Sequence, residues 1–509
     1  MSGVSASGGS VARPLAELTA GFATVPAELL VSDVTLDSRT ASRGALFLAC
    51  AGRTHHGLEF AADAVKRGAS AVLYERNEAH AGAAPPLPAG IFAAAVPNLS
   101  ERVGVIADRF FGAPSQQLTV AGITGTNGKT TCAWLLAQAL TEAARPAAYA
   151  GTLGFGVPPQ LTATPHTTSD AVSLQRQLAQ LRALGAECVS MEVSSHALDQ
   201  GRVNGVRFNT AAFTNLTRDH LDYHLTMEAY GAAKARLFAS PHLAHRIVNV
   251  DDAFGARLAA QRSTARLTVT TRAASAPPLP RGAQYVRAAR ATPGRCGLHI
   301  EVDSSWGALE VPVHLVGDFN VDNVLTVLAV LLAWGIPSAQ AARALTECRP
   351  ASGRMEMFGG GGRLPLAIVD YAHSPDALEN ALRAARAHCR GRLRVVFGCG
   401  GDRDAGKRPL MGKIAAELAD EVIVTDDNPR SEDPGRIVAD ILAGIAAGAP
   451  VAIEHDRALA IRAALERSRP EDVVLIAGKG HEDYQIVGRS RRAFRDQAVV
   501  EAELARRPA

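Results

Sequence analysis

The stretch Leu118-Thr119-Val120-Ala121-Gly122-Ile123-Thr124-Gly125-Thr126-Asn127-Gly128-Lys129-Thr130-Thr131 decides the fold of the chain around it. Leu118 to Ile123 is an apolar run of strand length, and Thr130 to Ala144 has a helical pattern. Between them lies a glycine-rich turn, Gly125 to Thr131. Glycines let successive backbone N–H groups turn toward one phosphate, and the following helix N-terminus adds partial positive charge. Lys129 is placed to reach the β- and γ-phosphates of a nucleotide, and the Thr130 hydroxyl to ligate Mg²⁺. The general G-x-x-x-x-G-K-[ST] spacing is not met, because its first glycine falls on Ile123. A glycine-rich turn with an incidental lysine is the plain alternative; the strand–loop–helix context favours nucleotide binding. ATP is expected over GTP, since no N-K-x-D base-reading motif is found.

A chain of 509 residues is too long for one hydrophobic core and suggests about three domains. With 47% hydrophobic and 20% charged residues it reads as globular. A formal charge of +3, with Lys and Arg spread along the chain, gives no reason to expect nucleic acid or an anionic membrane as partner. The seven cysteines are far apart and lack metal-ligand spacing, which predicts reduced thiols in a cytoplasmic protein. Met1 to Pro14 reads as a loose leader without the apolar region of a signal peptide. The longest apolar run, Val324 to Ile336, is too short to cross a bilayer.

Outward from the phosphate loop, three zones separate, with borders expected at residues 1–113, 114–345 and 346–509. The first mixes the strand-like run Ala45 to Ala49 with a helical pattern from Leu58 to Arg67, interrupted by the Pro/Gly/Ala-rich loop Ala81 to Gly90; Ala113-Pro114-Ser115 reads as a linker. In the second, apolar runs at Cys188 to Val193, Ala211 to Leu216 and Arg246 to Val250 alternate with helical stretches, predicting a largely parallel sheet. The Pro-rich segment Ala276 to Arg281 leads into β-like sequence ending near Leu315, and an apolar helix, Asn320 to Gly335, closes the zone. The third repeats the alternation, with strands predicted at Leu366 to Asp370, Arg394 to Gly398, Glu421 to Thr425, Val451 to Glu454 and Val473 to Ala477. The expected class is α/β in three domains: a central P-loop ATPase-like parallel-sheet domain, and a C-terminal Rossmann-like domain opened by no G-x-G-x-x-G fingerprint. Ligands bind beyond the carboxyl ends of such strands, where the polar clusters Asp370 to His373, Gly400 to Asp404, Asp426 to Arg430 and Gly478 to Asp483 fall.

The variant loop Thr124-Gly125-Thr126-Asn127-Gly128-Lys129-Thr130 resembles that of the Mur ligase family. Further strings match that family in order: Met191-Glu192-Val193-Ser194-Ser195-His196, Asn215 to His224 with His220, Tyr230 to Phe238 with Lys234, Gly317 to Asn323, Gly353-Arg354-Met355-Glu356 and Asp370-Tyr371-Ala372-His373. Together with Asp37-Ser38-Arg39, Gly400-Gly401-Asp402-Arg403, Asp427-Asn428-Pro429-Arg430 and Gly478-Lys479-Gly480-His481-Glu482, they are most similar to the branch that adds the third residue of the peptidoglycan stem. The resemblance covers roughly residues 30–485, and the joint occurrence of these short strings makes it specific.

What it implies is an ATP-dependent amide ligase of cell-wall synthesis. It would join meso-diaminopimelate to UDP-N-acetylmuramoyl-L-alanyl-D-glutamate through an acyl phosphate, in the cytoplasm, as a monomer. Gly125, Thr126, Asn127, Gly128, Lys129, Thr130 and Thr131, with Asn320, Arg354 and Asp370, would hold ATP. Lys129, Glu192, His220 and Lys234 would be catalytic, with Thr130, Glu192, His220 and a carbamate on Lys234 as Mg²⁺ ligands. By themselves Glu192 reads equally as a capping glutamate, His220 as a structural histidine and Lys234 as a solvated helix lysine. The resemblance places Leu36, Ser38, Arg53, Thr54 and His55 on the UDP portion, and Thr167, Thr168, Ser194, Gln200 and Arg202 on the muramoyl dipeptide. Ser38 and Thr167 could equally be turn residues, and Arg202 a surface charge. Closure of the third domain over the cleft is also implied.

Diaminopimelate differs from lysine by a carboxylate at its far end. Arg430 offers a planar fork suited to bidentate capture of that group. Asp427, Asn428 and Glu482 could accept hydrogen bonds from its amino group, with Pro429 fixing the turn, Gly478 beside them and Arg403 on the other carboxylate. The alternative is a loop with Arg430 facing water. Phe494-Arg495-Asp496 departs from the pattern, having an arginine where a second acid is expected. Competing functions are a related ligase (folylpolyglutamate synthetase-like, lysine-adding or adding the terminal dipeptide) and a P-loop ATPase that is not a ligase.

Overall fold

The computed structural model describes residues 12–52, 55–76, 87–275 and 278–507. Arg53, Thr54, nearly all of the leader and much of the Ala81 to Gly90 loop lie outside the described residues, as do the first two residues of the Ala276 to Arg281 segment. The end of the leader, Arg13–Pro14, pairs with Leu30–Val31 instead of trailing free.

Three main sheets correspond to the three zones. The first has four parallel strands in sequential order: Asp33–Thr35, Ala45–Ala49, Ala71–Tyr74 and Phe92–Ala95. Ala45–Ala49 is buried at every position, as a parallel strand covered on both faces must be. Its alternate residues feed two cores. Leu46 and Leu48 pack with Leu99, Val103 and Ile106, whereas Phe47 and Ala49 pack with Ala61 and Ala64.

The central sheet has eleven strands, and its middle is parallel. Thr119–Thr124 lies between Cys188–Glu192 and Thr210–Phe213, with Ala147–Gly151 beyond the former. On the other side follow His245–Asn249, Arg266–Thr271 and Gln284–Gly294. Both edges turn antiparallel: Gly154–Val157 and Gln160–Thr162 at one, Gly297–Ser304 and Leu309–Val313 at the other. The β-like segment ending near Leu315 is therefore a meander of short connections, which can only reverse direction. Lys129–Glu142 and Phe319–Ala333 cover one face of the sheet; Ala171–Ala183 and Met227–Phe238 lie on the other. Val324 to Leu332 are all buried, so this apolar run is an internal helix. Among the described residues no helix is long and apolar enough to cross a membrane.

The third sheet runs Glu356–Gly359, Leu366–Asp370, Val473–Ala477, Leu393–Phe397, Glu421–Val424, Val451–Ile453, parallel except for its first, edge strand. Helices Pro375–Ala387, Lys407–Leu418 and Pro434–Leu442 cover one face; Arg457–Glu466 and Asp496–Ala505 cover the other. The departure at Arg495 is local. Arg495 only precedes the last helix, while Asp496 forms a fully buried bidentate pair with Arg457, at 2.7 Å through both Nε and Nη2.

Ala113-Pro114-Ser115 is a packed junction and not an open linker. Pro114 and Ser115 are buried in a 3₁₀ turn, and Ser115 Oγ accepts from Arg207 N at 2.9 Å. Arg176, from the central zone, donates to Asp33 Oδ1 at 2.8 Å and lies over the Phe111 ring. The third zone is clasped differently. His388 Nδ1 meets Gly294 O at 2.6 Å, and its Nε2 accepts from Gly317 N at 3.3 Å.

Candidate active site

Strand register assembles the phosphate end of the site. Ile123 pairs with Glu192 on one side and Ala212 on the other, so three strands finish at one height. The phosphate loop, Glu192 and Thr214–Asn215 therefore emerge together. Gly128 stands at φ +84° directly before helix Lys129–Glu142, and a Cβ there would lie 2.2 Å from Asn323 Oδ1. Only glycine meets both the conformation and the approach. Asn127 N donates to Asn215 Oδ1 at 2.9 Å, and Thr217 N donates to Thr126 Oγ1 at 3.0 Å, which seats the loop on its neighbour. Lys129 Nζ folds back on the carbonyls of Gly125 and Thr126, at 3.0 and 2.8 Å. Burial lowers its pKa, the Glu192 and Asp219 charges oppose that, and Arg354 adds to it.

Glu192 is fully buried and surrounded by donors. Its Oε1 accepts from Tyr149 OH and, at 2.9 Å, from Thr152 N; Oε2 accepts from Thr130 Oγ1 at 2.9 Å and Thr152 Oγ1 at 3.1 Å. A carboxylate beside a threonine hydroxyl offers hard oxygen donors, the chemistry a divalent cation such as Mg²⁺ takes. Lys234, on helix Met227–Phe238, is 1% exposed; its Nζ donates to Gly125 O at 2.7 Å and lies over the Tyr230 ring. Burial first, and Lys129 second, push its pKa down to about 6, with Asp219 opposing. His220 packs edge-on against the same Tyr230 ring, 6.1 Å between centroids. It has φ +53°, lies 3.4 Å from Asp219 Oδ2 and packs against His196 at a ring separation of 4.8 Å. Among the described residues, no three His, Cys, Asp or Glu side chains converge as a metal site. Lys234 as an amine adds no metal-binding oxygen; as a carbamate it adds two.

From Glu192 a polar ridge runs outward. Thr152 Oγ1 meets Thr167 Oγ1 at 3.0 Å, and Thr168 Oγ1 donates to Glu192 O at 2.9 Å while accepting from Ser194 N. Ser194 Oγ caps the helix Ser195–Asp199. Arg202 donates to Thr168 O at 3.1 Å and, through two nitrogens, to Gln200 Oε1, whose amide reaches Tyr223. The predicted dipeptide residues thus form one connected set. In the first sheet, Leu36 and Ser38 directly follow strand Asp33–Thr35. Exposed His55 follows strand Ala45–Ala49 and touches Glu59 at 3.1 Å. Both positions are carboxyl ends of parallel strands.

Arg354 and Asp370 link the central site to the third sheet. Asp370 accepts from Met355 N and Ala372 N, at 2.8 and 2.9 Å, and burial raises its pKa. Arg354 lies over the Tyr371 ring at 5.2 Å, and its charge is felt at both Lys129 and Tyr149. Asn320 is buried with its amide committed to Val316 O and Asn323, so it supports the loop from behind through Asn323.

The Asp427 to Arg430 string forms a second site. Asp427, Asn428 and Pro429 are buried. Arg430, at φ +53°, donates Nη1 to Gly401 O at 2.7 Å, while its backbone pairs with Ile486 and Gly488. Asn428 donates to Glu482 Oε2 at 2.8 Å and accepts from Ile486 N at 2.9 Å. A Cβ on Gly478 would lie 3.2 Å from Asp427 Oδ2. Arg403 is exposed on the neighbouring loop, its Cγ 3.7 Å from where a Gly400 Cβ would stand.

Three family models match the chain: "Mur ligase family, catalytic domain" over residues 30–111, "Mur ligase middle domain" over 123–331 and "Mur ligase, glutamate ligase domain" over 353–480. A ligase from Xanthomonas campestris, named UDP-N-acetylmuramoyl-L-alanyl-D-glutamate–2,6-diaminopimelate ligase, is 48% identical over 479 residues, 93% of this chain and 94% of its own. The chain belongs to the Mur ligase family. A relative of the same name from Chromobacterium violaceum is also 48% identical, over 94% of each chain. A solved structure of that name superposes with a TM-score of 0.73 at 34% identity, covering 97% of this chain and 99% of the other. The MurF ligase from Thermotoga maritima, solved with ADP, shares the fold at TM-score 0.58 and 17% identity. As a Mur ligase, the protein is an ATP-dependent ligase.

Within this Mur ligase, several residues around the site were not singled out from the sequence. Tyr149 and Thr152 hold Glu192, Asn323 backs the loop, and Lys479 lies inside the second site. Asn323 was legible in principle, because it shares a helix face with Asn320 three residues earlier. Tyr149 carried no signal, standing in an apolar strand like any core tyrosine.

Proposed function

We propose that this Mur ligase joins meso-diaminopimelate to UDP-N-acetylmuramoyl-L-alanyl-D-glutamate, cleaving ATP to ADP and phosphate. What carries this reading is 48% identity across 93% of the chain with ligases of that name. The geometry supports it by presenting two sites on separate domains, one suited to phosphate and one to a zwitterion. The domain borders near residues 113 and 345 belong to the same proposal.

In the first step a substrate carboxylate oxygen attacks the γ-phosphorus and ADP leaves. Two anions must approach, and in a partly dry site their repulsion opposes the reaction strongly. Lys129 and the loop N–H groups supply fixed positive charge; Arg354 adds more from the third domain. Thr130 and Glu192, with His220 and a carbamate on Lys234, would hold Mg²⁺. When bound, that ion supplies further neutralisation of the phosphate charge. In the second step the amine of the incoming amino acid attacks the acyl carbon and phosphate departs.

Lys234 suits carbamate formation. Its nitrogen is buried against one carbonyl and near a second ammonium, which disfavours the protonated form. The neutral amine attacks CO₂, releases one proton and becomes an anion. Thr167, Thr168, Ser194, Gln200 and Arg202 form the bed for the muramoyl dipeptide, and Leu36, Ser38, Arg53, Thr54 and His55 for the UDP portion. Arg430 and Arg403 take the amino-acid carboxylates, and Glu482 the far amino group.

The test is product mass and phosphate release with UDP-N-acetylmuramoyl-dipeptide and meso-diaminopimelate, each omitted in turn. Release that requires both supports the ligase. Release indifferent to either removes it.

A further inference from the structure

Lys479 follows strand Val473–Ala477 and is fully buried, 0% exposed. Its Nζ touches Asp427 Oδ1 at 3.2 Å, Asn428 Oδ1 at 3.2 Å and Glu482 Oε2 at 3.3 Å. A buried ammonium is costly unless its acceptors are built in, and here all three come from the amino-acid site. The contact also orients Asn428. With Oδ1 accepting from Lys479 and Ile486 N, its Nδ2 must face Asp427 Oδ1 and Glu482 Oε2, at 3.2 and 2.8 Å. Asn428 is thereby used up inside the protein. One oxygen of Glu482 and the Nε/Nη2 edge of Arg430, whose Nη1 is taken by Gly401 O, remain to meet a ligand.

The charges in this cluster balance. Asp427 and Glu482 share Lys479, Asp402 faces the charges of Arg430 and Arg403, and the next buried cation, Arg457, is matched by its own Asp496. The far end of diaminopimelate carries an ammonium and a carboxylate, neutral together. Lysine ends in a bare ammonium. A site with no spare negative charge has no electrostatic preference for that extra cation.

On the reading under Proposed function, we propose that Lys479 is a positioning and specificity residue. It cancels one acidic charge in the third-residue site, and so favours an amino acid with a zwitterionic far end over one ending in an ammonium alone.

The experiment compares kcat/KM for meso-diaminopimelate and L-lysine in the full-length enzyme, with KM for ATP as control. Lys479→Met should lower the diaminopimelate-to-lysine ratio by about tenfold or more, leaving KM for ATP unmoved. Adding Asp427→Asn to Lys479→Met restores the charge balance and should return the ratio most of the way. A Lys479→Met enzyme that loses activity on both amino acids in equal proportion would overturn the proposal, since a purely structural prop predicts that. If the single variant does not fold, the double variant decides: a folded enzyme with a near wild-type ratio supports it, and a collapsed ratio sinks it. Wild-type enzyme inert toward diaminopimelate would instead defeat the functional reading beneath it.

Discussion

Two lysines are buried to the same degree and do opposite things. Lys234 and Lys479 are 1% and 0% exposed, yet Lys234 meets one backbone carbonyl and the field of Lys129, whereas Lys479 meets two carboxylates and an amide. The first environment disfavours the protonated form, because burial and the Lys129 charge both oppose it. The second holds a fixed cation that organises its neighbours. Burial alone therefore says nothing about a lysine's role; the charges facing it decide.

The contrast is open to attack in order of expected effect. Lys234→Ala should cost on the order of 10²–10³-fold in ligase rate, as removal of a group acting on transition-state charge does. Formate or acetate should restore part of it by supplying the missing carboxylate, measured by phosphate release. No rescue would make Lys234 a structural residue.

Stability should invert the order. Lys479→Met strands two carboxylates and should destabilise the third domain by about 3 kcal/mol. Lys234→Met removes an amine whose burial at pH 7 requires the loss of a proton, and should be neutral to stabilising at that pH, read by denaturant unfolding of both variants. Equal losses would erase the distinction between the two sites. Arg430→Ala should raise KM for diaminopimelate roughly 30-fold, about 2 kcal/mol, with KM for ATP little changed. An equal rise in both would move Arg430 out of the amino-acid site.

The smallest effect is a pH dependence. The Lys234 pKa is lowered to about 6 in the folded chain, so between there and the ordinary 10.5 the unfolded state binds the extra proton. Its contribution to stability therefore rises with pH through that window and is flat below about 6, where both states hold the proton. Carbamate formation follows the same sign. Labelled CO₂ should be taken up at pH 7 and fall away below about 6, seen by carbon NMR. Uptake that begins only near pH 10 would show an ordinary lysine.

How much was legible differs by region. Leu366–Asp370, Val473–Ala477 and Ala45–Ala49 were readable to the residue, because strands buried on both faces appear as unbroken apolar runs. Gly154–Val157 and Gln160–Thr162 were not, since these edge strands are short and half exposed and lack that pattern. The Ala113-Pro114-Ser115 turn has linker composition but is packed, because Arg207, 92 positions away from Ser115, completes its hydrogen bonding. The site strings were readable as strings, Lys479 among them; its contacts with Asp427 and Asn428 and the contact of Tyr149 with Glu192 were not, because those partners lie in distant segments.

The sequence by itself determined the strand, the glycine turn and the helix start that suit a phosphate, since backbone conformation and apolar period are written into adjacent residues. It also ordered the polar clusters at strand ends. Only the tertiary structure decided which lysine faces another cation and which faces carboxylates. Lys234 meets Gly125 across 109 positions, and Lys479 meets Asp427 across 52, and electrostatic fields act through space and not along the chain.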